Sequence, residues 1–473
     1  MNLVYQCCAG LDVHKKSVSA CIRIQQGEQT RIETALFGTF TADLERLRDW
    51  LQQYGVQQIA MESTGVFWMP VWNVLERDDS KRFELTLINP QHVHALPGRK
   101  TDQRDCRRIA ELHQYGLLRS SFIPPAPVRE LRDLTRRRTH LQGERNRVLN
   151  RVRRLLETAN IKLGSVVSDI SGKTAMLIMA EIVRGNCDPE SLSELAQASL
   201  KNKKAELMNS LHGFYSDHFR WLLGQALHEL RYLDKTLDQV DRQLAKHLQP
   251  HADLVRRLCT IPGVDFTTAA VILAEIGFDM TRFADAAQLA SWAGLCPGNN
   301  ESAGKRFSSR TRKGNRYLRR VLTQSAWSIT HKKNCFLTGL FYRVASRGGM
   351  KKAAIAVAHR ILTIAWHIIA EESTYYELEG NGGDRQQAAR IARRLARRLE
   401  QLGFEVEIKS KPTTQPPPRQ SPPSHRTTEL TTPPTGPVLC RRCARWGIPC
   451  IHAKNAKQVR SATPALLTHQ QLR

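Results

Sequence analysis

The order of hydrophobic patterns near the start of the chain most constrains what it can fold into. Three segments with strand-like alternation come first, and a helical pattern, a short strand, a second helix, another strand and a third helix follow. The expected strands cover residues 4–13, 17–24, 30–40, 56–61 and 83–88. The expected helices cover residues 41–54 and 67–76 and a segment that Asp102 opens. This order predicts an α/β domain at the N-terminus.

Four carboxylates occupy related positions in that order of elements. The order is that of the ribonuclease H-like fold, in which the first and fourth strands are neighbours, so Asp12 and Glu62 should meet at their C-terminal ends. Asp102 and Asp105 share one helix face because they are three residues apart. Carboxylates are the usual ligands of Mg²⁺, and two such ions can clamp a phosphodiester displacement. The four acids together predict a magnesium site that processes nucleic acid, although each acid alone would be read as a turn or cap residue.

Charge and composition limit the partners and the compartment. Lys and Arg number 71 against 44 Asp and Glu, so the net charge of +27 favours a polyanionic partner, for which DNA, RNA and an acidic membrane surface all qualify. No stretch approaches the roughly 18 consecutive apolar residues of a membrane span, and no signal peptide is recognisable. Eleven cysteines without an export signal are expected to be reduced thiols or metal ligands. A cytoplasmic protein of about three domains is therefore expected.

After an N-terminal domain of residues 1–123, residues 124–250 read as a helical, coiled-coil region. Residues 128–159 are rich in arginine, and residues 218–248 carry leucines at heptad spacing, with Asp234 and Asp241 interrupting the companion seam. Three interpretations fit this region: an antiparallel hairpin within the chain, an intersubunit coiled coil, and a helical spacer with a solvated basic face. The oligomerising coil is the favoured one.

Residues 251–372 form a third, mainly helical region that contains a candidate nucleophile. It opens with LCTIPGVDFTTAAVILAEIG, a helix-hairpin-helix pattern in which Asp265 replaces the usual second glycine and so favours a structural role. Ser302 lies in a loop of small residues, and a serine there is ordinary unless a base or activator supports it. A basic patch follows, suited to neutralising phosphate charge and consisting of Lys305, Arg306, Arg310, Arg312, Lys313, Arg316, Arg319 and Arg320.

The tail is predicted to be separate from the folded core. Residues 373–408 read as a basic amphipathic helix, and residues 409–473 as a disordered Pro-rich linker followed by a Cys/His segment. The Cys/His segment offers a candidate zinc ligand set of Cys440, Cys443, Cys450 and His452. The alternative is a set of free thiols in a disordered tail.

The motifs GLDVHKK, AMESTG, KTDQRDCRRIAEL, IPGV and ASWAGLCPGNNESAGKRFSSRTRKGNRYLRR resemble those of the insertion-sequence transposases called the "one-ten" family. The resemblance spans residues 5 to about 370. It implies a RuvC-like DEDD domain joined by a coiled coil to a small transposase domain, with a structured guide RNA made from the end of the element. It also implies that Asp12, Glu62, Asp102 and Asp105 bind Mg²⁺, and that Ser302 attacks a DNA phosphate and forms a covalent phosphoserine.

These observations favour a DNA transposase or recombinase of a bacterial insertion sequence, nucleoid-associated and acting as a dimer or tetramer on DNA with an RNA guide. Ser302 is far along the chain from Asp105, so folding or a partner subunit would have to bring them together. One alternative is a metal-dependent, structure-selective nuclease, like a junction resolvase, in which Ser302 is inert. The other is a nucleic-acid-binding protein without catalysis.

Overall fold

The structure is a computed structural model. It describes residues 3–62, 65–77, 83–89, 102–118, 120–298, 300–302, 305–308, 310–332 and 335–375. The side chains of residues 102–104, 300–302 and 305–308 lie outside that description. The chain divides into two compact units, Met1–Pro125 and Ala126–Arg473.

The first unit is built on a five-stranded mixed sheet in the order β3-β2-β1-β4-β5. Its strands are β1 (Cys7–Val13), β2 (Ser17–Gln26), β3 (Gln29–Gly38), β4 (Gln58–Glu62) and β5 (Glu84–Ile88). The pairs β1–β2 and β2–β3 are antiparallel, and the pairs β1–β4 and β4–β5 are parallel. The predicted α/β domain, with its first and fourth strands side by side, is therefore confirmed.

In the part of the first unit that the structure describes, three helices cover the two faces of this sheet: α1 (Thr41–Gln53), α2 (Trp68–Glu76) and α3 (Asp102–Gln114). One face buries alternate strand residues such as Leu11, Ile22 and Met61 in a cluster with α1 and α2. Helix α3 packs on β1, β2 and β4 through Ile109, which shares a cluster with Ala60, and through Cys106, which shares one with Cys21. The intervening strand residues therefore point towards α3, as period-2 alternation requires.

The start of β1 differs from the prediction. The strand begins at Cys7 rather than at residue 4, because the backbone N–H groups of Val4 and Tyr5 donate to the carbonyl oxygen of Gln114 at 3.0 and 3.2 Å. These two residues therefore satisfy the carbonyl end of α3 instead of extending the sheet.

The second unit begins with two long helices, α4 (Ala126–Thr158) and α9 (Asp217–Leu248), that pack against each other. They are antiparallel, because the residue numbers run in opposite directions through the ion pairs Arg138–Asp241, Arg145–Asp234 and Arg151–Glu229. Between them lie α5 (Leu163–Val166), α6 (Lys173–Arg184), α7 (Pro189–Ser193), a 3-10 segment (Ala198–Lys203) and α8 (Lys204–Ser210).

The heptad leucines of α9 are buried inside this chain. Leu223, Leu230 and Leu237 belong to one core cluster with Leu141, Val148 and Val152 of α4. The interpretation of this seam as an intersubunit coil is therefore wrong, and the antiparallel hairpin is the arrangement observed. The reason is that α4 offers a complementary apolar stripe, and its arginines pair with the two acids that interrupt the seam of α9.

Among the residues that the structure describes, the rest of the second unit is helical apart from one β-hairpin. Its helices are α10 (Ala252–Leu258), α11 (Phe266–Ile276), α12 (Ala286–Trp292), α13 (Arg316–Ser328), α14 (Phe336–Gly348) and α15 (Met350–Ala370), with 3-10 segments Gln249–His251 and Ile329–His331. The hairpin pairs β6 (Asn300–Ser302) with β7 (Lys305–Ser308). Helix α11 packs on α4, so the compact unit runs across the expected boundary at residue 250.

Two segments of this region bear on binding. Between α10 and α11, the Asp265 side chain accepts from the Thr268 N–H at 2.9 Å and so caps α11, which uses a donor that a phosphate would need. Helix α15 is long and apolar enough by length and composition to cross a membrane. It packs against α12, α13 and α14, and residues such as Val357, Ile361 and Leu362 are buried, which is the setting of a core helix.

Several predictions fall outside the described residues. They include most of the expected basic helix of residues 373–408, the linker of residues 409–473, and the candidate zinc ligands Cys440, Cys443, Cys450 and His452. The zinc site therefore stays a prediction. None of the eight cysteines described in the structure, from Cys7 to Cys335, is in a disulfide.

Candidate functional site

Asp12 and Glu62 lie side by side at the end of two neighbouring parallel strands. The register that pairs Leu11 of β1 with Met61 of β4 places Asp12 beside Glu62 one residue further along. Leu11 and Met61 are buried in the core under α1 and α2, so alternation turns Asp12 and Glu62 towards the opposite face, which α3 covers. The sheet therefore brings together two acids that are fifty residues apart in the sequence.

Asp12 is nearly inaccessible, with 4% of its surface exposed, while Glu62 is half-buried. The His14 imidazole lies 3.1 Å from Asp12, measured between Nε2 and Oδ2, and almost half of the His14 side chain faces solvent. A buried carboxylate needs cationic or hydrogen-bonding partners to remain charged. A histidine at this distance is one such partner, and a divalent cation would be a stronger one.

Helix α3 can approach β1 closely because residue 10 is glycine. A Cβ on Gly10 would lie 2.3 Å from the Ala110 nitrogen and 2.5 Å from the Cys106 oxygen. This contact brings the first turns of α3, with Asp105 beside the buried Cys106, towards the end of the sheet where Asp12 lies. A hydrogen bond from the Cys21 thiol lowers the pKa of Cys106, and the nearby Asp12 charge opposes that shift.

The metal prediction is not tested by these contacts. Among the side chains that the structure describes, no group of three or more His, Cys, Asp or Glu residues is placed to hold a metal ion. Asp102 is the first residue of α3, but its side chain belongs to the part that is not described. The donor chemistry of the acids suits Mg²⁺, and the four-carboxylate site stays a prediction.

Ser302 lies at the end of β6, in a β-hairpin rather than in the loop that was expected. Ser302 pairs with Lys305 and Glu301 with Arg306, and below them Pro297 forms a bridge with Thr311. The backbone N–H of Gly298 also donates to the Arg310 oxygen at 2.8 Å. We call β6 and β7, with the segments that lead to them from Gly294 and Gly314, the serine hairpin. Its sequence signal was the two-residue Ala303-Gly304 spacing, which is typical of hairpin connections.

The predicted basic patch separates into residues with different roles. Arg310, Arg312, Lys313, Arg316 and Arg320 are exposed, as phosphate-binding side chains would have to be. Arg319 donates to the Gly294 oxygen at 3.2 Å and so also supports the base of the serine hairpin. The side chains of Lys305 and Arg306 fall outside the described set.

One residue at this end of the second unit was missed by sequence reasoning. Glu275 of α11 has no exposed surface, and its carboxylate accepts two hydrogen bonds of 2.9 Å from Arg136 and one of 2.6 Å from Asn315. Arg132 donates to the Glu275 backbone oxygen at 2.9 Å; burial lowers the pKa of this guanidinium, and the Glu275 charge opposes that shift. The available signal was a lone glutamate in the apolar run AAVILAEIG, which requires a buried cationic partner.

Comparison with known proteins bears on both units. A family model described as a transposase, of the IS110 DEDD type, matches residues 9–161. A second model, described as a transposase of the IS116/IS110/IS902 family, matches residues 255–339. The chain belongs to the IS110 family of transposases. The two matched spans contain the four acids of the predicted metal site, Ser302, Glu275 and Asn315.

Individual relatives agree with this assignment. The transposase for insertion sequence element IS1111A of Coxiella burnetii is 24% identical over 298 residues, which cover 61% of this chain and 72% of the relative. The putative transposase y4pF/y4sB of Sinorhizobium fredii is 28% identical over 309 residues, or 63% of this chain and 70% of the relative. The pilin gene-inverting protein of Moraxella bovis is 28% identical over 152 residues, or 31% of this chain and 47% of the relative.

Proposed function

We propose that this transposase cuts and rejoins DNA through a covalent bond between Ser302 and a DNA phosphate, with Mg²⁺ held by Asp12, Glu62, Asp102 and Asp105. The metal-site part of this proposal rests on the placement of Asp12 beside Glu62, on the sheet face that α3 covers. The strand order β3-β2-β1-β4-β5 supports assigning the first unit to the ribonuclease H-like, RuvC-like folds.

In the proposed step, the Ser302 hydroxyl oxygen attacks the phosphorus and loses its proton to a base. The bond from phosphorus to the leaving deoxyribose oxygen breaks, and that oxygen takes up a proton. The phosphodiester energy is conserved in the serine–phosphate bond, so a DNA hydroxyl can later attack the same phosphorus and release the serine. Mg²⁺, when bound, would supply charge stabilisation and lower the pKa of a coordinated hydroxyl.

The two units would divide this work. The exposed arginines in the serine hairpin and at the start of α13 would bind the phosphate backbone, because guanidinium groups match phosphate oxygens in geometry and charge. The acids of the first unit would hold the metal. Relatives named as pilin gene-inverting proteins favour recombination over simple hydrolysis as the outcome.

We also propose that a structured RNA from the element directs the protein to its DNA, and that the protein acts as a homo-oligomer in the bacterial cytoplasm. The net charge of +27 supports binding of two polyanions, with base pairing reading the sequence and the protein binding the backbone. Sequencing the RNA that co-purifies with the full chain would test this. Recovery of only random fragments of cellular RNA would contradict the proposal of a guide RNA.

The catalytic proposal is tested by trapping the full chain on a nicked suicide DNA that carries the element end. Wild type should form a covalent adduct that maps to Ser302 by peptide mass, and Ser302→Ala should abolish the adduct and keep DNA binding. Asp12→Asn should also abolish the adduct, because it removes a metal-ligand charge without changing shape. Ser308→Ala is the matched control from the same hairpin and should keep the adduct.

Each other outcome has a definite meaning. An adduct on Ser308 would move the nucleophile within the serine hairpin. Metal-dependent cleavage by Ser302→Ala without any adduct would support the structure-selective nuclease instead. Full activity of Asp12→Asn at limiting Mg²⁺ would contradict the carboxylate site.

A further inference from the structure

The two backbone segments at the base of the serine hairpin, at Gly294 and Gly314, cross in very close contact. Gly294 has a φ of +73°, and a Cβ there would lie 2.8 Å from the Arg312 oxygen and from the Gly314 nitrogen. A Cβ on Gly314 would lie 2.4 Å from the Ala293 carbon and the Gly294 nitrogen. Only glycines permit this backbone crossing, which forms the base of the hairpin.

The residue after this crossing is bonded in two directions. The Asn315 oxygen accepts from the backbone N–H groups of Tyr317 and Leu318 at 3.0 and 3.1 Å and so caps α13. The Asn315 amide nitrogen donates to Glu275 Oε2 at 2.6 Å. The residue that follows the crossing is therefore tied both to α13 and to the buried carboxylate of α11.

Glu275 links the Asn315 hydrogen bond to the long helix α4. Arg136 binds the carboxylate with two parallel hydrogen bonds, and Arg132 binds the end of α11 through the oxygens of Ala274 and Glu275 at 3.1 and 2.9 Å. A second tie runs beside it, where the Arg136 guanidinium lies 4.7 Å from the centre of the Tyr317 ring and the Tyr317 hydroxyl lies 3.1 Å from His140. Both ties join α4 to the first turn of α13.

A buried ion pair is weak evidence for stability, because a well-packed apolar set often stabilises as much. The contribution of this group is a fixed orientation of the segments that it joins, because a bidentate guanidinium and a capping amide each accept one geometry. The group consists of Glu275, Arg132, Arg136 and Asn315. We infer that Glu275 is a positioning residue that anchors the base of the serine hairpin on α4 and so sets the orientation of Ser302. This inference rests on the proposed nucleophilic role of Ser302.

The hydrogen bond between residues 275 and 315 can be reversed without losing the helix cap. Asn315→Asp keeps a capping oxygen for α13 but sets a carboxylate against the Glu275 carboxylate. Glu275→Gln alone loses the charge that holds Arg136. In the double variant Glu275→Gln with Asn315→Asp, the new amide at position 275 can donate to the new carboxylate at position 315, and the total charge of the pair is restored. The amide takes the place of Oε2, which also accepts from Arg136, so Arg136 keeps only its hydrogen bond to the other oxygen of residue 275.

The experiment measures the rate of covalent adduct formation on the suicide DNA for the full-length single and double variants. Asn315→Asp should slow the adduct by about 100-fold, the loss expected of a reacting group displaced by about 1 Å, with DNA affinity unchanged. The double variant should recover part of that loss, because the repulsion between two carboxylates is removed while Arg136 keeps one of its two hydrogen bonds to residue 275. Asp241→Asn is the matched control, because Asp241 is also a buried acid paired with an α4 arginine, but that arginine is Arg138 and not the Arg136 that binds Glu275; it should leave the adduct rate unchanged.

Amide hydrogen exchange distinguishes failure of this inference from failure of the serine mechanism. Asn315→Asp should speed exchange of the Gly298 amide but not of the Leu318 amide, whose capping oxygen is kept, and the double variant should reverse part of the change, whichever residue attacks DNA. If Asn315→Asp folds and keeps both the wild-type exchange and the wild-type adduct rate, the positioning role is overturned. The same holds if the double variant is no better than Asn315→Asp.

Two further outcomes are also decisive. If exchange responds but the adduct lies elsewhere than Ser302, the anchor stands and the nucleophile assignment falls. If Asn315→Asp does not fold, Glu275→Gln, which should show a smaller loss of adduct rate and faster Gly298 exchange, decides in its place.

Discussion

At the scale of single residues, Gly10 sets the distance between α3 and β1. The absent Cβ allows the Ala110 and Cys106 backbones to lie against the strand, close in the chain to Asp105. A displacement of α3 at this contact would also change the spacing around the acids, because Asp12 is two residues further along the same strand and on the same face.

Gly10→Ala is therefore expected to lower the free energy of unfolding by about 1–3 kcal/mol, the usual cost of overpacking, and to lower strand cleavage as α3 moves outward. Urea denaturation followed by tryptophan fluorescence, together with a cleavage assay, would measure both. Gly143→Ala is the control. Gly143 lies in the interior of α4 and a Cβ there would meet nothing within 4 Å, so this change should raise the free energy of unfolding by about 0.5–1 kcal/mol. Normal stability and cleavage in Gly10→Ala would mean that the helix–strand spacing does not position the acids.

At the scale of elements, the α4–α9 hairpin contains two ion pairs one heptad apart in different surroundings. Asp241 is 2% exposed and pairs with Arg138, whereas the Asp234 side chain is 49% exposed and pairs with Arg145. The sequence shows both acids as the same defect in a leucine seam. The hairpin makes one of them a buried partner and leaves the other at the rim.

The two pairs should therefore respond differently to truncation. Asp241→Ala leaves the Arg138 charge largely buried and should cost about 3–5 kcal/mol. Asp234→Ala removes a partner that is already half in solvent and should cost less than about 1 kcal/mol. Thermal denaturation of the full chain would compare them, and equal costs would show that burial does not separate the two positions.

At the scale of the whole molecule, the charge of +27 should dominate binding to DNA. Each phosphate contact made by Lys or Arg releases counterions, so affinity falls as salt rises. If about 6–10 such contacts form, the association constant should drop by about 10³- to 10⁵-fold between about 50 and 200 mM salt. Fluorescence anisotropy with labelled duplex would measure the slope. An affinity that is nearly independent of salt would mean that the basic surface does not contact phosphates.

The elements of the first unit could be predicted from the sequence because their signals are local. Alternation predicted β1 to β5, and helical spacing placed Leu44, Leu47 and Leu51 on the buried face of α1. The positions of Asp12 and Glu62 predicted that they would be neighbours only through the resemblance of the element order to the ribonuclease H-like fold, in which the first and fourth strands lie side by side. The start of β1 was wrong because residues 4 and 5 bond to the end of α3, more than a hundred residues away.

The sequence by itself determined which reactive groups this transposase carries: acids at strand ends, a serine next to arginines in the chain, and a strong excess of basic residues. Only the tertiary structure decided which groups meet. It placed the heptad leucines of α9 against α4 rather than a second subunit, and it brought Glu275 into contact with Arg136, which is 139 residues away in the chain. Local periodicity reports which face of an element is apolar, but it carries no information about the partner that will cover that face. Likewise, a buried charge in a sequence implies that a counter-charge exists, and only the fold identifies it.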